Sequence, residues 1–225
     1  MKRTILLISF FALLALPSLS QMKSYSTTGW EIIFSLADIE DNGTDQSATL
    51  RFEPFINIET FYHLDMSKSV GVFSGLAIRN VGYIYDNYTD PSNEATYKKK
   101  FRSYNIGVPV GLKIGDLDRM YFYGGYEVEL AWLYKERTYE GGDKIGKITG
   151  WFSDRQNLFQ HGFLVGVQFP YGGNLKFKYY LSEFHNQNYE VNGVKPYEGL
   201  KSNIFYFSLN VMLFRNLDLY VNYDE

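Results

Sequence analysis

The stretch YNIGVPVGLKIG, from Tyr104 to Gly115, alternates strictly between two kinds of side chain. Every second residue from Tyr104 is aromatic or aliphatic, whereas the residues between them are small or polar. An alternation of period two is the pattern of a β-strand, because successive side chains point to opposite faces. The stretch therefore predicts a strand with one entirely apolar face, and the medium that this face meets decides the class of the protein.

Seven other stretches repeat the same alternation. They lie at residues 30–37, 50–62, 70–85, 120–134, 159–169, 175–182 and 205–213. One such run is weak evidence, but eight in series are typical of a transmembrane β-barrel. We therefore predict an all-β fold, an eight-stranded antiparallel up-and-down transmembrane β-barrel.

The connections between these runs alternate in length. Those at residues 63–68, 115–119 and 170–174 are short, whereas the intervening ones, such as 86–100 and 135–157, are long and polar. Outer-membrane barrels have short periplasmic turns and longer extracellular loops. With an even number of strands, both chain ends are then predicted to be periplasmic, in a protein of the cell outer membrane.

Alternation alone does not say which row of side chains faces outward. A soluble barrel that holds a ligand would turn the apolar row inward. Its outer surface would then carry a row of glycines, which suits a solvent surface poorly: Gly71, Gly75, Gly107, Gly111, Gly125, Gly162 and Gly166. Aromatic residues also gather at the ends of the apolar rows, as two interfacial girdles require. We predict that the apolar rows face lipid.

The N-terminus has the three parts of an export signal. Lys2 and Arg3 precede an apolar segment at residues 5–16, and small residues lead to Ser20. This pattern predicts a signal peptide at residues 1–20. We then expect a polar lead-in at 21–28, the barrel at 29–214, and at 215–225 either a tail or an extension of the last strand.

Composition excludes several functions. The chain has no cysteine, which excludes disulfides, thiolate metal sites and cysteine nucleophiles. Its net charge is −3, which gives no reason to expect a nucleic-acid partner. We expect no metal and no cofactor, and a monomer.

Three stretches carry a resemblance to known proteins. YNIGVPVGLKIG, YFYGGYEVEL after a short acidic turn, and the closing FYFSLNVMLF resemble small outer-membrane β-barrel proteins of the OmpX/OmpA type. The resemblance is closer to the PorT-like outer-membrane β-barrel domain family of Gram-negative bacteria, over residues 29–214. It implies a location more than an activity. Two features depart from the pattern of these barrels. The chain continues beyond Phe214 instead of ending at this aromatic residue. Pro109 has no backbone N–H to donate to the hydrogen-bond ladder, so we expect a bulge at Pro109.

Charged residues of both signs fall on the inward rows. They are Glu31, Arg51, Glu53, Glu59, Arg79, Lys113, Glu127, Glu129, Lys176 and Lys178. An eight-stranded barrel is just wide enough for side chains, so these charges should neutralise one another and fill the lumen. If the first short turn sets Phe61 opposite Gly71, this register pairs Glu53 with Arg79.

Three residues are weak candidates for catalysis. If Phe169 pairs with Leu175, the register sets His161 opposite Glu183 on the lipid-facing side near the loop rim. His185 is then a diagonal neighbour. A His–carboxylate pair there would suit a lipid A-modifying enzyme of the deacylase or acyltransferase type. No serine occupies a neighbouring outward position, so we favour polar residues at the headgroup boundary and expect no catalysis.

The remaining function is a structural or surface-binding role, including adhesion. Lys98, Lys99, Lys100 and Arg102 are predicted near the outer rim, where they would contact lipopolysaccharide phosphates. Tyrosines predicted in the loops would offer an adhesive edge to an extracellular protein or surface ligand: Tyr83, Tyr85, Tyr88, Tyr97 and Tyr139. We expect outer-membrane lipid and lipopolysaccharide as partners.

Overall fold

The computed structural model describes the backbone of residues 22–219 and the side chains of residues 22–215. The signal peptide predicted at residues 1–20 lies outside the described residues. The described chain forms strands and one short 3-10 turn, η1: β1 Lys23–Asp41, β2 Thr44–Gln46, β3 Ala48–Thr49, β4 Arg51–Glu53, β5 Ile58–Asp65, β6 Val70–Thr89, β7 Thr96–Asp116, β8 Met120–Glu140, β9 Asp143–Trp151, β10 Phe159–Gln168, η1 Pro170–Gly172, β11 Gly173–Tyr180 and β12 Leu200–Leu219.

Eight of these strands close into a ring. In order they are β1, β5, β6, β7, β8, β10, β11 and β12, and β12 pairs with β1 to complete the ring. Every neighbouring pair is antiparallel. The predicted eight-stranded antiparallel barrel is confirmed. The short β2 and β4 pair with β1, β3 pairs with β6, and β9 pairs with β8.

The apolar rows face outward. On β7, Ile106, Val108, Val110, Leu112 and Ile114 are exposed, and the residues between them are buried inside the ring. The opening stretch is a strand with one apolar face, as predicted, and this face is on the outside of the ring; the outward rows of the neighbouring strands follow the same rule. No helix among residues 22–219 has the length and hydrophobicity that a membrane crossing requires.

One side of the barrel is much taller than the other. Strands β6, β7 and β8 have 20, 21 and 21 residues, about twice what a bilayer crossing needs. The stretch 86–100, predicted as a long loop, is therefore mostly strand, and only 90–95 connects β6 to β7. Strand β9 pairs along the half of β8 that ends at Glu140 and so widens this side. We call this end of the barrel the upper end, and the end with the short turns the lower end.

The first and last strands of the described chain pair with each other. β1 begins at Lys23, and Ser24 lies opposite Leu219 of β12. Most of the stretch predicted as a polar lead-in, 21–28, is therefore strand. The first part of the predicted tail, 215–219, extends the last strand, and 220–225 lie outside the described residues. Because β1 and β12 are neighbours in the closed ring, each supplies the backbone partners that the other needs.

The second predicted strand is broken between β4 and β5. Ile33 on β1 faces Glu53, but Trp30 faces Ile58, so the broken side holds two extra residues. Ile56 has a φ of +59°, which ends regular pairing there. The buried Asn57 fills the gap: its backbone oxygen accepts from the Glu31 amide at 2.9 Å.

The bulge predicted at Pro109 is wrong. Ser74 faces Val110 and Ala77 faces Gly107, and the register between β6 and β7 is unchanged across Pro109. The Ser74 hydroxyl instead donates to the Pro109 carbonyl at 2.9 Å. The irregularity lies elsewhere, between Tyr104 and Asn105 in the pairing of β7 with β8.

Candidate functional site

Arg79 on β6 lies at the centre of the lumen and is completely buried. Its guanidinium binds four glutamates from three other strands. Nε is 2.8 Å from Glu31 and Nη2 is 2.7 Å from Glu59. Nη1 contacts Glu127 and is 3.3 Å from Glu129. A planar group with five donors is suited to this task, because it can reach several carboxylates at once.

Two lysines of β11 complete this layer. Lys176 lies 2.8 Å from Glu31 and 2.6 Å from Glu59, and Lys178 lies 2.6 Å from Glu127. Neutral donors satisfy further carboxylate oxygens: Ser208, Asn210, Asn105 and Tyr180. The structure thus brings seven of the ten predicted lumen residues into one layer, the ion cluster, which we define as Glu31, Glu59, Arg79, Glu127, Glu129, Lys176 and Lys178.

The other three predicted lumen residues form separate pairs. Arg51 binds Glu53 at 2.7 Å above the cluster, and Lys113 binds Asp65 below it. The predicted pair of Glu53 with Arg79 is wrong. The turn is tighter than assumed, so Phe61 faces Gly75 rather than Gly71 and each residue of β5 meets a residue four positions further along β6. Glu53 binds Arg51 instead.

The lumen below the ion cluster contains a small cavity of about 30 Å³, between side chains that otherwise pack together. Its wall includes Phe61, Phe73, Tyr121 and Tyr123, and it extends towards the rim with the short turns. His63, which lies in a predicted turn, is instead buried here, with Nε2 2.8 Å from the Thr27 hydroxyl. A lumen filled by side chains therefore stays a prediction for this part of the barrel.

The connection between β11 and β12 folds into the lumen above the ion cluster. We call residues 181–199 the plug segment. Phe184, His185 and Tyr197 from this segment are buried inside the ring. The His185 ring stacks on Tyr197 at 4.2 Å, and its Nε2 lies 2.9 Å from the Tyr83 hydroxyl. The plug segment therefore folds back into the barrel. Its polar sequence gave no indication of this, because it is typical of a solvated loop.

A buried carboxylate anchors the plug segment. Glu136 on β8 accepts from the hydroxyls of Tyr134 and Tyr197, each at 2.7 Å. It also binds the Lys99 ammonium at 2.7 Å, and that ammonium lies 4.0 Å from the centre of the Tyr88 ring. One acid thus links two strands of the wall to the segment that closes the mouth.

This arrangement corrects the predicted lysine cluster. Lys98, Lys99 and Lys100 are consecutive residues of a strand, so Lys99 points inward and the other two point outward. Lys98 binds Asp86 at 2.8 Å, and Lys100 lies over the ring of Tyr139. The adhesive edge predicted from loop tyrosines is also wrong for those that are buried inside the ring: Tyr83, Tyr85 and Tyr88.

The predicted pairing of His161 with Glu183, the weak candidates for catalysis, does not form. His161 faces Leu181, because the hairpin register differs by two residues from the assumed one. Its Nδ1 lies 2.6 Å from the Tyr126 hydroxyl, whereas the Glu183 carboxylate accepts from Gln187. His185, predicted beside them on the lipid-facing side, is inside the barrel because the chain turns inward after β11.

Acid is expected to destabilise the plug. Burial lowers the pKa of His185 from its ordinary 6.5 to about 3. Below pH 6.5 His185 therefore binds a proton in the unfolded chain, whereas in the folded chain it stays neutral. Stability should fall as pH decreases through this window, by up to about 1.4 kcal/mol per pH unit from this residue. The charged and titratable groups around the ring are Tyr83, Lys99, Glu136, Arg155 and Tyr197.

Limited proteolysis of the plug segment between pH 7 and pH 4 measures this effect. The His185→Phe variant keeps an aromatic ring without the titrating nitrogen, so its cleavage rate should rise less on acidification. Equal pH dependence in the wild type and the variant would show that other groups control the seal.

Comparisons with known proteins find remote similarity only. No family model and no characterised protein matches the sequence. Among solved structures, Ail of Yersinia pestis, in complex with the heparin analogue sucrose octasulfate, has a TM-score of 0.40 at 11% identity, covering 86% of this chain and 99% of Ail. Neisserial surface protein A has 0.40 at 15% identity, covering 83% and 97%.

A third similar structure is the outer membrane protein OprG from Pseudomonas aeruginosa. Its TM-score is 0.38 at 9% identity, covering 87% of this chain and 96% of OprG. Values of this size do not show membership of a family. The resemblance to the PorT-like family therefore stays a prediction.

Proposed function

We propose that this chain is an integral outer-membrane β-barrel, closed to passage and acting at the cell surface as a structural or surface-binding protein. The apolar belt around the ring carries this proposal. Val110, Leu112 and Phe122 are 60%, 56% and 61% exposed, and further exposed apolar residues surround them: Leu76, Val128, Phe163, Val165, Phe207 and Val211. A soluble monomer rarely exposes a contiguous apolar surface larger than a few hundred Å².

Aromatic side chains mark the edges of this belt. Above it, Trp132 lies between Tyr104 and Trp151, with ring centroids at 6.0 and 4.9 Å. Below it are the exposed Phe169 and Tyr171. Such girdles form at the two interfaces of a bilayer, where a ring can sit between lipid and water. By the usual arrangement of short turns, both chain ends would be periplasmic.

The interior supports a closed barrel. The ion cluster blocks the middle of the lumen, and the plug segment blocks its upper mouth. The cavity in the lower lumen ends at the ion cluster, so we propose no channel. We propose no enzymatic role either, because His161 and Glu183 have different partners and His185 is enclosed.

A pair of matched variants tests the membrane location. Val110→Arg places a charge in the belt, whereas Ile145→Arg places one on β9, above it; the two side chains are 60% and 53% exposed. In lipid vesicles, the first should lower the free energy of unfolding by about 2–4 kcal/mol. The second should change it by less than about 0.5 kcal/mol. Similar small effects of both, together with a soluble periplasmic wild-type protein, would contradict the proposal.

A further inference from the structure

Five cations line the outer face of the tall side of the barrel on three adjacent strands. Lys100 on β7 faces Arg137 on β8, and Arg102 faces Lys135. Arg137 faces Lys147 on β9 in turn. The residues that alternate with them, including Phe101, Glu136 and Ile148, are packed inside the barrel. We call Lys100, Arg102, Lys135, Arg137 and Lys147 the cationic wall.

None of the five cations forms an ion pair within the described chain, although the charge of Lys100 also acts on Asp86, the partner of Lys98. No acidic side chain of residues 22–215 lies within 4 Å of these five ammonium or guanidinium groups. Moreover, the Nε atoms of Arg102 and Arg137 are buried and have no hydrogen-bond partner there. Like charges directly opposite each other destabilise a sheet. The wall therefore carries a cost that a bound anion would remove.

The lower rows of the wall lie just above the upper aromatic girdle. Arg102 and Lys135 are two residues beyond the row of Tyr104, and Lys135 lies 4.6 Å from the centre of the Tyr104 ring. At about 3.3 Å per residue, this row is about 7 Å along the strand from the girdle and the next row about 13 Å. In a membrane, this is the region of the lipid headgroups.

We propose that the cationic wall binds the phosphate groups of lipopolysaccharide, the phosphorylated glycolipid of the outer leaflet, from the side. This inference rests on the proposed membrane location. It extends the expected lysine contact from one strand to three and excludes Lys99, which is enclosed. Arginine suits the task, because its guanidinium binds a phosphate through two parallel hydrogen bonds. The same site, being built on three rigid strands, needs no rearrangement to accept a headgroup that lies beside it.

Two double variants with the same loss of charge test this. Lys100→Gln with Arg137→Gln changes the wall, whereas Lys195→Gln with Lys201→Gln changes cations outside it. Binding of fluorescent lipid A to the purified barrel in neutral detergent is the measurement. At about fivefold per cation, the wall variant should bind about 30-fold more weakly, and the control within about twofold of the wild type. Equal affinities of the two variants would overturn the proposal.

Thermal unfolding in vesicles gives a second, independent result. In neutral lipid at low salt, the wall variant should be at least as stable as the wild type, because the repulsion is reduced. In vesicles that contain lipid A, the wild type should be the more stable of the two, because its cationic wall binds the phosphates. The single variant Lys147→Gln, at an exposed position, shows the same trend if the double variant folds poorly.

Two other outcomes are informative. If the wall variant loses binding to a soluble sulfated polysaccharide but keeps lipid A binding, the partner is a free polyanion and the proposal is wrong. If the wild-type protein does not enter either kind of vesicle, the proposed membrane location fails. Vesicle flotation, measured before any binding experiment, separates these two cases.

Discussion

Replacing Arg79 by methionine is expected to lower the free energy of unfolding by about 5 kcal/mol, at the upper end of the loss from breaking a buried ion pair. The reason is that Arg79 binds four buried glutamates, and only two lysines would remain to balance them. Urea unfolding in lipid vesicles measures the change. Arg102→Met is the matched control, since Arg102 has no acidic partner among the described residues and should lose little.

A double variant separates lost charge balance from lost packing. Arg79→Met with Glu127→Gln returns the ion cluster to its native net charge of −1, from four glutamates against three cations. It should recover about half of the loss, because coupled neighbours are not additive. If the double variant loses the sum of the two single losses, Arg79 and Glu127 do not interact and the described cluster is wrong.

Replacing Glu136 by glutamine is expected to cost about 3 kcal/mol and to loosen the plug segment. The Lys99 ammonium would stay buried without its carboxylate, which is the costly half of a broken buried pair. The Tyr134 and Tyr197 hydroxyls would lose their charged acceptor as well. Vesicle unfolding measures the stability, and the rate of proteolysis of residues 181–199 measures how firmly the plug segment is held.

Controls distinguish this effect from a general loss of negative charge. Glu140→Gln, at the exposed end of β8, removes the same charge and should leave the stability and the rate of proteolysis unchanged. Lys99→Met with Glu136→Gln removes both charges and should recover much of the stability. A plug that stays resistant to protease in the Glu136→Gln variant would mean that aromatic packing alone holds it.

The sequence was a good guide to which face a residue occupies and a poor guide to which residue it meets. The period of two placed Val110 outside and Lys113 inside, because a strand allows no other arrangement. Pairing depends on the length of each turn and on local breaks. The positive φ of Ile56 and the tight turn before Val70 have no clear signal in the pattern, so the predicted pair of Glu53 with Arg79 was wrong.

The plug segment and the cationic wall show two further limits. Residues 181–199 have the composition of a solvated loop, and only contact with the rest of the mouth makes Phe184 and Tyr197 part of a core. The wall joins Lys100, Arg137 and Lys147, which lie on three different strands. Alternation on each strand would have shown that they point outward, but their alignment required the register of three strands.

The ion cluster has a consequence for how the barrel assembles. Its contacts join residues 20 to 145 positions apart, and none lies within a single strand. A partly assembled sheet therefore holds carboxylates and ammonium groups whose partners have not arrived, and these groups cannot enter hydrocarbon unpaired without a large cost. Strands added one hairpin at a time would gain little until the seam between β1 and β12 closes. Folding of this barrel should therefore be highly cooperative and slow, as expected where most stabilising contacts are distant in sequence.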